Sequence, residues 1–324
     1  MRHVRLTIVV LALFLAVGAH HGQAAPPDRI RVRIARLAFP SLVSVMVDIV
    51  KAAELDRSNG LDLEPISFSA VSGFYAAQAT GEVDAGVGGP HVYQRLRLEG
   101  APVRILASYV GLSAMVVISR NPQVRTITDL RGRSLAADMG SSEFAILSIY
   151  AKSKGLDLRT DVNVIQAGPP LARAQLAAGR VDAAMTWEPT ATLTIRDSKD
   201  YRIIFNGRAG WRELTGKDGW QLVVHMRDDA IRRNPAAVDR LIKTFQDGQA
   251  YLRTNLDASD RVVASSLNLP AGVLKEAVLF RRIVYDVRPA WQPAVTEALW
   301  EMFRAGVDVG LLPRLPDRAI VYRP

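Results

Sequence analysis

The chain has 324 residues, 41 lysines and arginines against 32 aspartates and glutamates, a formal charge of +9 and no cysteine. Without cysteine it forms no disulfide and offers no thiolate to chemistry or to a metal. Its basic residues are scattered among acids, in clusters no longer than Arg232-Arg233 or Arg281-Arg282, which describes a solvated surface and excludes a nucleic-acid stripe.

Arg2, His3 and Arg5 precede an apolar run over residues 6–17, and Gly22-Gln23-Ala24 places small residues where a signal peptidase cuts. Residues 1–24 therefore read as a signal peptide, cleaved after Ala24 because a cut after Ala25 would leave Pro26 next to the scissile bond. The run is shorter than the ~20 residues of a membrane span. The expected product is an exported, periplasmic protein that is not a lipoprotein, since no cysteine stands at the cleavage site. The 300 residues left (324 − 24) suit two domains or one large one and bury a full core without staples.

Residues 30–35 alternate arginine and aliphatic side chains and predict a strand. A loop follows over 37–41, then a buried helix over 42–55 that Gly60 ends, and a strand over 61–68. Next come a loop at 69–73, a helix at 74–80 closed by Gly81, a strand at 83–87 ending in Gly88-Gly89-Pro90, a helix at 91–98 and a strand at 103–109. Residues 112–119 read as one continuous apolar strand. A capped helical turn at 128–132, a strand at 134–137 and a loop at 138–142 lead to a helix at 143–154 stopped by Gly155. A strand at 162–166, a helix at 170–178 stopped by Gly179 and a strand at 181–186 ending in Trp187-Glu188-Pro189 follow. Residues 221–226 form a second apolar run, and helices begin after Asn234-Pro235 and Gln292-Pro293.

Gly60-Leu61-Asp62-Leu63 recurs as Gly155-Leu156-Asp157-Leu158, and Gly81-Glu82-Val83-Asp84-Ala85 as Gly179-Arg180-Val181-Asp182-Ala183, 95 and 98 residues on. Two matches in register predict one α/β unit used twice: two lobes, each built on a mainly parallel sheet, around a cleft. With the runs at 112–119 and 221–226 as crossings, the expected first lobe is 25–112 plus 222–324 and the second 113–221.

In open α/β sheets the ligand lies beyond the carboxyl ends of the strands. That rule selects the loops at 37–41, 69–73, 88–90, 138–142, 166–169 and 186–189, with Phe39, Ser41 and Gly89 among their residues. Ser72-Gly73 and Gly140-Ser141-Ser142 stand where helix N-termini offer free N–H groups to anions, although each serine is equally a plain cap. Trp187 can wall the pocket or stack on a flat ligand, and Glu188 can accept from an amine or amide; the competing reading is a core tryptophan and a solvated glutamate. Phe39 and Tyr109 are pocket candidates that serve a core as readily, and His91 reads as a helix-start or surface histidine. Beyond the signal segment only His91 and His225 remain, without partners at metal-ligand spacing. No G-x-S-x-G elbow or G-x-G-x-x-G loop occurs; residues 210–217 read as a surface turn and Asp228-Asp229 as a helix start. No catalytic residue, metal or cofactor is expected.

Thr126-Ile127-Thr128-Asp129-Leu130-Arg131-Gly132-Arg133 resembles the "I-x-D-L-K-G-K" start of the second lobe of periplasmic solute-binding proteins of ABC importers for sulfonates, taurine, nitrate and thiamine precursors. Asn59-Gly60-Leu61-Asp62-Leu63 resembles their "E-G-L-D-V", and Gly81 to Ala85 and Trp187-Glu188-Pro189 match two further landmarks, so that the likeness covers about residues 28–255. It implies a type II periplasmic-binding fold with two hinge crossings, and capture of a small polar or anionic ligand (sulfonate, nitrate, taurine or pyrimidine-like) by lobe closure. It further implies a monomer that delivers the ligand to an ABC permease and ATPase complex in the inner membrane. Ser72, Gly73, Gly140, Ser141, Ser142, Trp187 and Glu188 carry over as pocket residues. The family's first helix commonly reads "P-L-Y-x-A-K-E-K-G"; Ser41-Leu42-Val43-Ser44-Val45-Met46 stands here instead. The alternatives are an enzyme on the same fold, of thiamine-pyrimidine or menaquinone-pathway type, and an exported ligand sensor. The pyrimidine synthases use a cysteine-rich motif that this chain lacks.

Overall fold

The structure, a computed structural model, describes residues 29–324, so the signal segment read at 1–24 lies outside the described residues. Ten strands form two five-stranded sheets. The first contains β1 (Ile30–Leu37), β2 (Leu61–Phe68), β3 (Ala85–Gly88), β4 (Val103–Gly111) and β10 (Trp220–Arg227), in the order β2-β1-β3-β10-β4. The second contains β5 (Met115–Ser119), β6 (Ser134–Ala137), β7 (Asn163–Gln166), β8 (Ala183–Trp187) and β9 (Arg202–Asn206), in the order β7-β6-β8-β5-β9.

The helices that cover the sheets are, early in the chain, α1 (Leu42–Ala52), α2 (Leu55–Ser58), α3 (Val71–Thr80) and α4 (Pro90–Leu98). The middle of the chain supplies α5 (Ser142–Ser153), α6 (Pro169–Ala177), α7 (Thr190–Asp197) and α8 (Gly207–Thr215). The remainder are α9 (Asp228–Arg233), α10 (Ala237–Thr254), α11 (Leu256–Ser266), α12 (Val273–Leu279) and α13 (Pro293–Asp308). None of the described helices is long and apolar enough to cross a membrane.

The sequence repeat is a structural repeat. Gly60 and Gly155 both adopt positive φ, +72° and +74°, where a side chain would be strained, and Gly81 (+92°) and Gly179 (+69°) do the same ahead of β3 and β8. The repeated aspartates do equivalent work. Asp84 accepts the backbone N–H of Arg33 in β1 at 3.0 Å, and Asp182 that of Ser134 in β6 at 2.9 Å. Each ties the last of its sheet's three mutually parallel strands to the first, β3 to β1 and β8 to β6. Arg33 and the Ser134 N–H hold the two carboxyls below the usual range against the opposing effect of burial.

Both sheets are mixed rather than mainly parallel. β2-β1-β3 and β7-β6-β8 are parallel, but β10 runs antiparallel between β3 and β4, and β5 antiparallel between β8 and β9. In each sheet the odd strand is the one that arrives from the other sheet. The runs expected to be crossings are therefore sheet strands. Residues 221–226 belong to β10, buried along its whole length, and the strand expected over 112–119 is cut by a 3-10 turn at Leu112–Ala114, which carries the passage from β4 to β5.

Other boundaries move for identifiable reasons. The helix expected over 42–55 ends at Ala52, because Glu54 is left-handed (φ 52°) and buried Asp56 accepts from the Leu63 N–H at 3.0 Å and from Lys51 at 2.6 Å. The helix expected from Phe74 begins at Val71, which puts Ser72 and Gly73 in its first turn, where N–H groups need no intrahelical partner and glycine is tolerated. Residues 210–217 are not a surface turn: α8 runs through them, with Trp211 buried and Gly210 so close to Phe205 of β9 that an added Cβ would lie 2.3 Å from its ring.

Candidate functional site

Two adjoining cavities separate the sheets. The outer one, about 820 Å³, is lined by Phe39, Ser72, Tyr75 and Arg95 on the side of the first sheet and by Asp138, Gly140, Gln166 and Leu171 on the side of the second. The inner one, about 30 Å³, is lined by Ser41, Leu42, Phe74, Val87 and Gln221 facing Ser141, Glu143 and Trp187. Val71 and Tyr75 line both, so the two are one cleft with a narrow floor.

The loops that build this floor follow β1, β6 and β8, as the strand-end rule requires. Ser41 caps α1 by accepting the Ser44 N–H at 3.2 Å, and Ser141 caps α5 by accepting the Phe144 N–H at 3.1 Å. Both serines are caps and lining residues at once. Trp187, the last residue of β8, is buried and forms the wall opposite β10.

Gly89 and Ser142 close the seam beside the cavities. The loop before α4 and the first turn of α5 approach so closely that a Cβ on Gly89 would lie 2.0 Å from the Cβ of Ser142. The Ser142 hydroxyl accepts the His91 backbone N–H at 3.3 Å and lies 3.1 Å from His91 Nδ1, while Nε2 lies 2.9 Å from the Met302 carbonyl. A carbonyl only accepts, so Nε2 carries the proton and Ser142 donates to Nδ1. His91 is thus buried, contrary to the surface reading, and burial lowers its pKa to about 4, which keeps it neutral.

Three expected site residues lie elsewhere. Tyr109 is a core residue, edge-on to Phe245 and Tyr285 with ring centroids 5.2 Å away in each case, because its strand turns that face toward α10. Glu188 is fully buried and structural: it pairs with Arg282 at 3.0 Å and accepts the Thr192 N–H at 3.1 Å. Gly73 points at Phe68 and lines neither cavity.

The polar residues that face the inner cavity without having been singled out in sequence are Glu143 and Gln221. Gln221 Nε2 donates to Glu143 Oε1 at 2.9 Å, and Gln221 Oε1 is buried without a partner. Burial pushes the Glu143 carboxyl up to about 7, with Gln221 pulling the other way and Asp138 adding to the rise. In sequence Glu143 is an ordinary first-turn acid; only its burial distinguishes it. Among the described residues no group of three or more histidine, cysteine, aspartate and glutamate side chains could hold a metal ion.

A family model described as NMT1/THI5 like matches residues 57–258. A protein of Escherichia coli K12, named for binding aliphatic sulfonates, is 25% identical over 172 residues, 51% of this chain and 51% of its own length. The match thus spans about half the length of that relative. A protein of Brucella abortus strain 2308 named as a binding protein is 23% identical over 242 residues, 75% of this chain and 73% of its own. Among solved structures, the alkanesulfonate-binding protein SsuA of Xanthomonas axonopodis pv. citri bound to MOPS superposes with a TM-score of 0.77 at 21% identity, covering 93% of this chain and all of that one. The periplasmic aliphatic sulphonate binding protein SsuA of Escherichia coli superposes with a TM-score of 0.73 at 20% identity, covering 91% and 92%. These superpositions establish the periplasmic-binding fold.

Proposed function

The chain belongs to the NMT1/THI5-like family, and we propose that it is a solute-binding receptor that captures one small molecule between its sheets and delivers it to an ABC permease and ATPase in the inner membrane. The observation that carries this reading is the cleft itself: loops from the carboxyl ends of β1, β6 and β8 and the first turns of α1, α3 and α5 converge on one space. The names of the relatives support the receptor role, and the basic start with its apolar run supports export to the periplasm. The working unit is a monomer with a first lobe of residues 25–112 plus 222–324 and a second of 113–221.

Capture requires the cleft to widen. A floor of about 30 Å³ admits a group the size of one water, and contacts such as that of Ser142 with His91 span the seam. The site proposed for the ligand is Phe39, Ser41, Ser72, Gly140, Ser141 and Trp187, joined by Tyr75, Glu143 and Gln221.

The test is a thermal-shift and calorimetric screen of the purified mature protein over sulfonates, nitrate, carboxylates, pyrimidines and amines. A ligand that binds only the folded state raises the melting temperature. One-to-one binding without turnover supports the receptor; consumption of the ligand by the protein alone refutes it.

A further inference from the structure

The relatives are named for sulfonates, yet the charges that line this cleft have the opposite sign to the one a sulfonate needs. The inner cavity presents one carboxyl, that of Glu143, and no lysine or arginine. The outer cavity adds Asp138 and Glu99 against a single cation, Arg95, which lies 3.9 Å from Glu99. A chain of formal charge +9 thus gathers three carboxylates and one guanidinium around its cleft.

The N–H groups with which the second-sheet loop would hold an anion are mostly taken by the chain's own acceptors. Gly140 N–H goes to Asp138 Oδ1 at 3.1 Å, Ser141 N–H to the Asp138 carbonyl at 3.1 Å, and Met139 N–H to Gln166 Oε1 at 2.9 Å. Phe144 N–H goes to Ser141 Oγ, as Ser44 N–H goes to Ser41 Oγ on the facing side. The first turn of α3 has no side-chain cap, but it opens on the outer cavity, where acids outnumber the one arginine.

What the floor lacks is a donor. Gln221 is 1% exposed, lines the inner cavity and leaves Oε1 without a partner, beside the Glu143 carboxyl that its Nε2 already serves. An unmet buried acceptor destabilises the fold, and a donor from outside would recover that cost. The rest of the inner wall is apolar: Leu37, Leu42, Val43, Phe74, Val87 and Leu222.

Building on the receptor reading, we infer that the cleft selects a compact ligand with a positively charged N–H donor head, a primary amine, on an apolar body. The head sits against Glu143 and Gln221, in a space of about 30 Å³ that suits an ammonium and crowds a sulfonate, and the body extends past Tyr75 and Trp187. Glu143 gives the head a charge-assisted acceptor and Gln221 a second, neutral one.

The experiment is titration calorimetry of the mature protein at pH 7.5 with matched probes: butylamine, benzylamine and benzamidine against butanesulfonate and benzenesulfonate. The expected result is saturable one-to-one binding of at least one of the two amines and of none of the sulfonates, with benzamidine, whose head is larger than the floor, binding no tighter than benzylamine. Glu143→Gln is expected to weaken that binding about ten-fold, the loss of one charged hydrogen bond, while its urea transition stays cooperative. One-to-one binding of a sulfonate, alone or as tightly as its amine, overturns the inference and leaves the receptor reading standing. Failure of all five probes overturns the inference; failure of every compound in the wider screen overturns the receptor reading as well.

Discussion

Glu143 folds as a buried carboxyl whose listener across the cavity is one amide, and this fixes how stability answers to pH. Its pKa near 7 in the folded chain lies above the ordinary 4.5, so the folded state holds the proton longer. Below pH 4.5 this carboxyl is protonated in both states and costs nothing; its own contribution to stability falls as pH rises from there through about 7 and is then constant, while buried His91 and His225, lowered to about 4 and about 3, contribute in the opposite direction as pH rises toward 6.5. Asp138 is the neighbouring charge that adds to this effect, and Gln221 and Ser141 oppose it. Glu143→Gln without ligand is therefore expected to be more stable than the parent at pH 8, by up to about 3 kcal/mol, and equal to it near pH 4. Urea unfolding at the two pH values measures this, and an equal stability at pH 8 would show a carboxyl that is not desolvated. Glu188 makes the opposite case. Sequence reading placed it in the pocket because it follows a strand end, but its partner Arg282 lies 94 residues downstream and no local pattern announces it. Glu188→Ala is expected to destabilise by about 1–3 kcal/mol, because Arg282 loses its buried carboxylate and keeps only Glu276 and Thr192, and to spare ligand affinity. Calorimetry on the refolded variant separates the two roles. The Ser141 cap was legible because a serine before an apolar run satisfies free N–H groups locally, whereas the Ser41 cap and the cavity-facing acids and amides were not read, since facing a cavity is a property of the whole fold.

Among the elements, the periodic ones were readable and the inserted ones were not. β1, β2 and β6 stand where alternation and flanking glycines put them, and the two repeated motifs predicted the same loop twice. What a repeat cannot reveal is that each sheet takes a strand from beyond itself. β10 has the all-apolar face of a strand buried on both sides, which looks the same whether it bridges two lobes or lies in the middle of one sheet. α8 was missed for a different reason. Three glycines in and just after Gly207–Thr215 read as turn chemistry, yet Gly207 and Gly210 are small because Met115 and Phe205 press on them, and Gly216 is a left-handed C-cap. The helix is therefore packed rather than peripheral. Trp211→Ala is expected to cost about 3–5 kcal/mol, as deletion of a buried aromatic does, whereas a tryptophan on a surface turn would cost about 0.5 kcal/mol or less. A urea midpoint close to the parent's would return these residues to the surface.

At the scale of the molecule, Gly89 against Ser142 is a place where the two halves touch with no room to spare, and this makes closure open to a steric test. Gly89 has φ −77° and ψ 138°, which any residue adopts, so a methyl group there strains no backbone. It collides only with the opposing α5, at 2.0 Å from the Ser142 Cβ and 3.3 Å from its Cα, neither of which can rotate away. Gly89→Ala is then a wedge: each half keeps its core, and the arrangement that brings them together is penalised. Small-angle scattering of the variant should give a larger radius of gyration than the parent, with a urea transition within about 0.5 kcal/mol of it, since no buried group within either sheet is disturbed. Affinity for any ligand found in the screen should fall by the same factor as the population of the closed form. Ser142→Gly on the same chain removes the obstructing side chain and, despite losing the hydroxyl that meets His91, should recover part of both closure and affinity. If the wedge left both the radius and the affinity at their parent values, the seam would be one that neither opens nor closes, and capture between the two sheets would have no physical route.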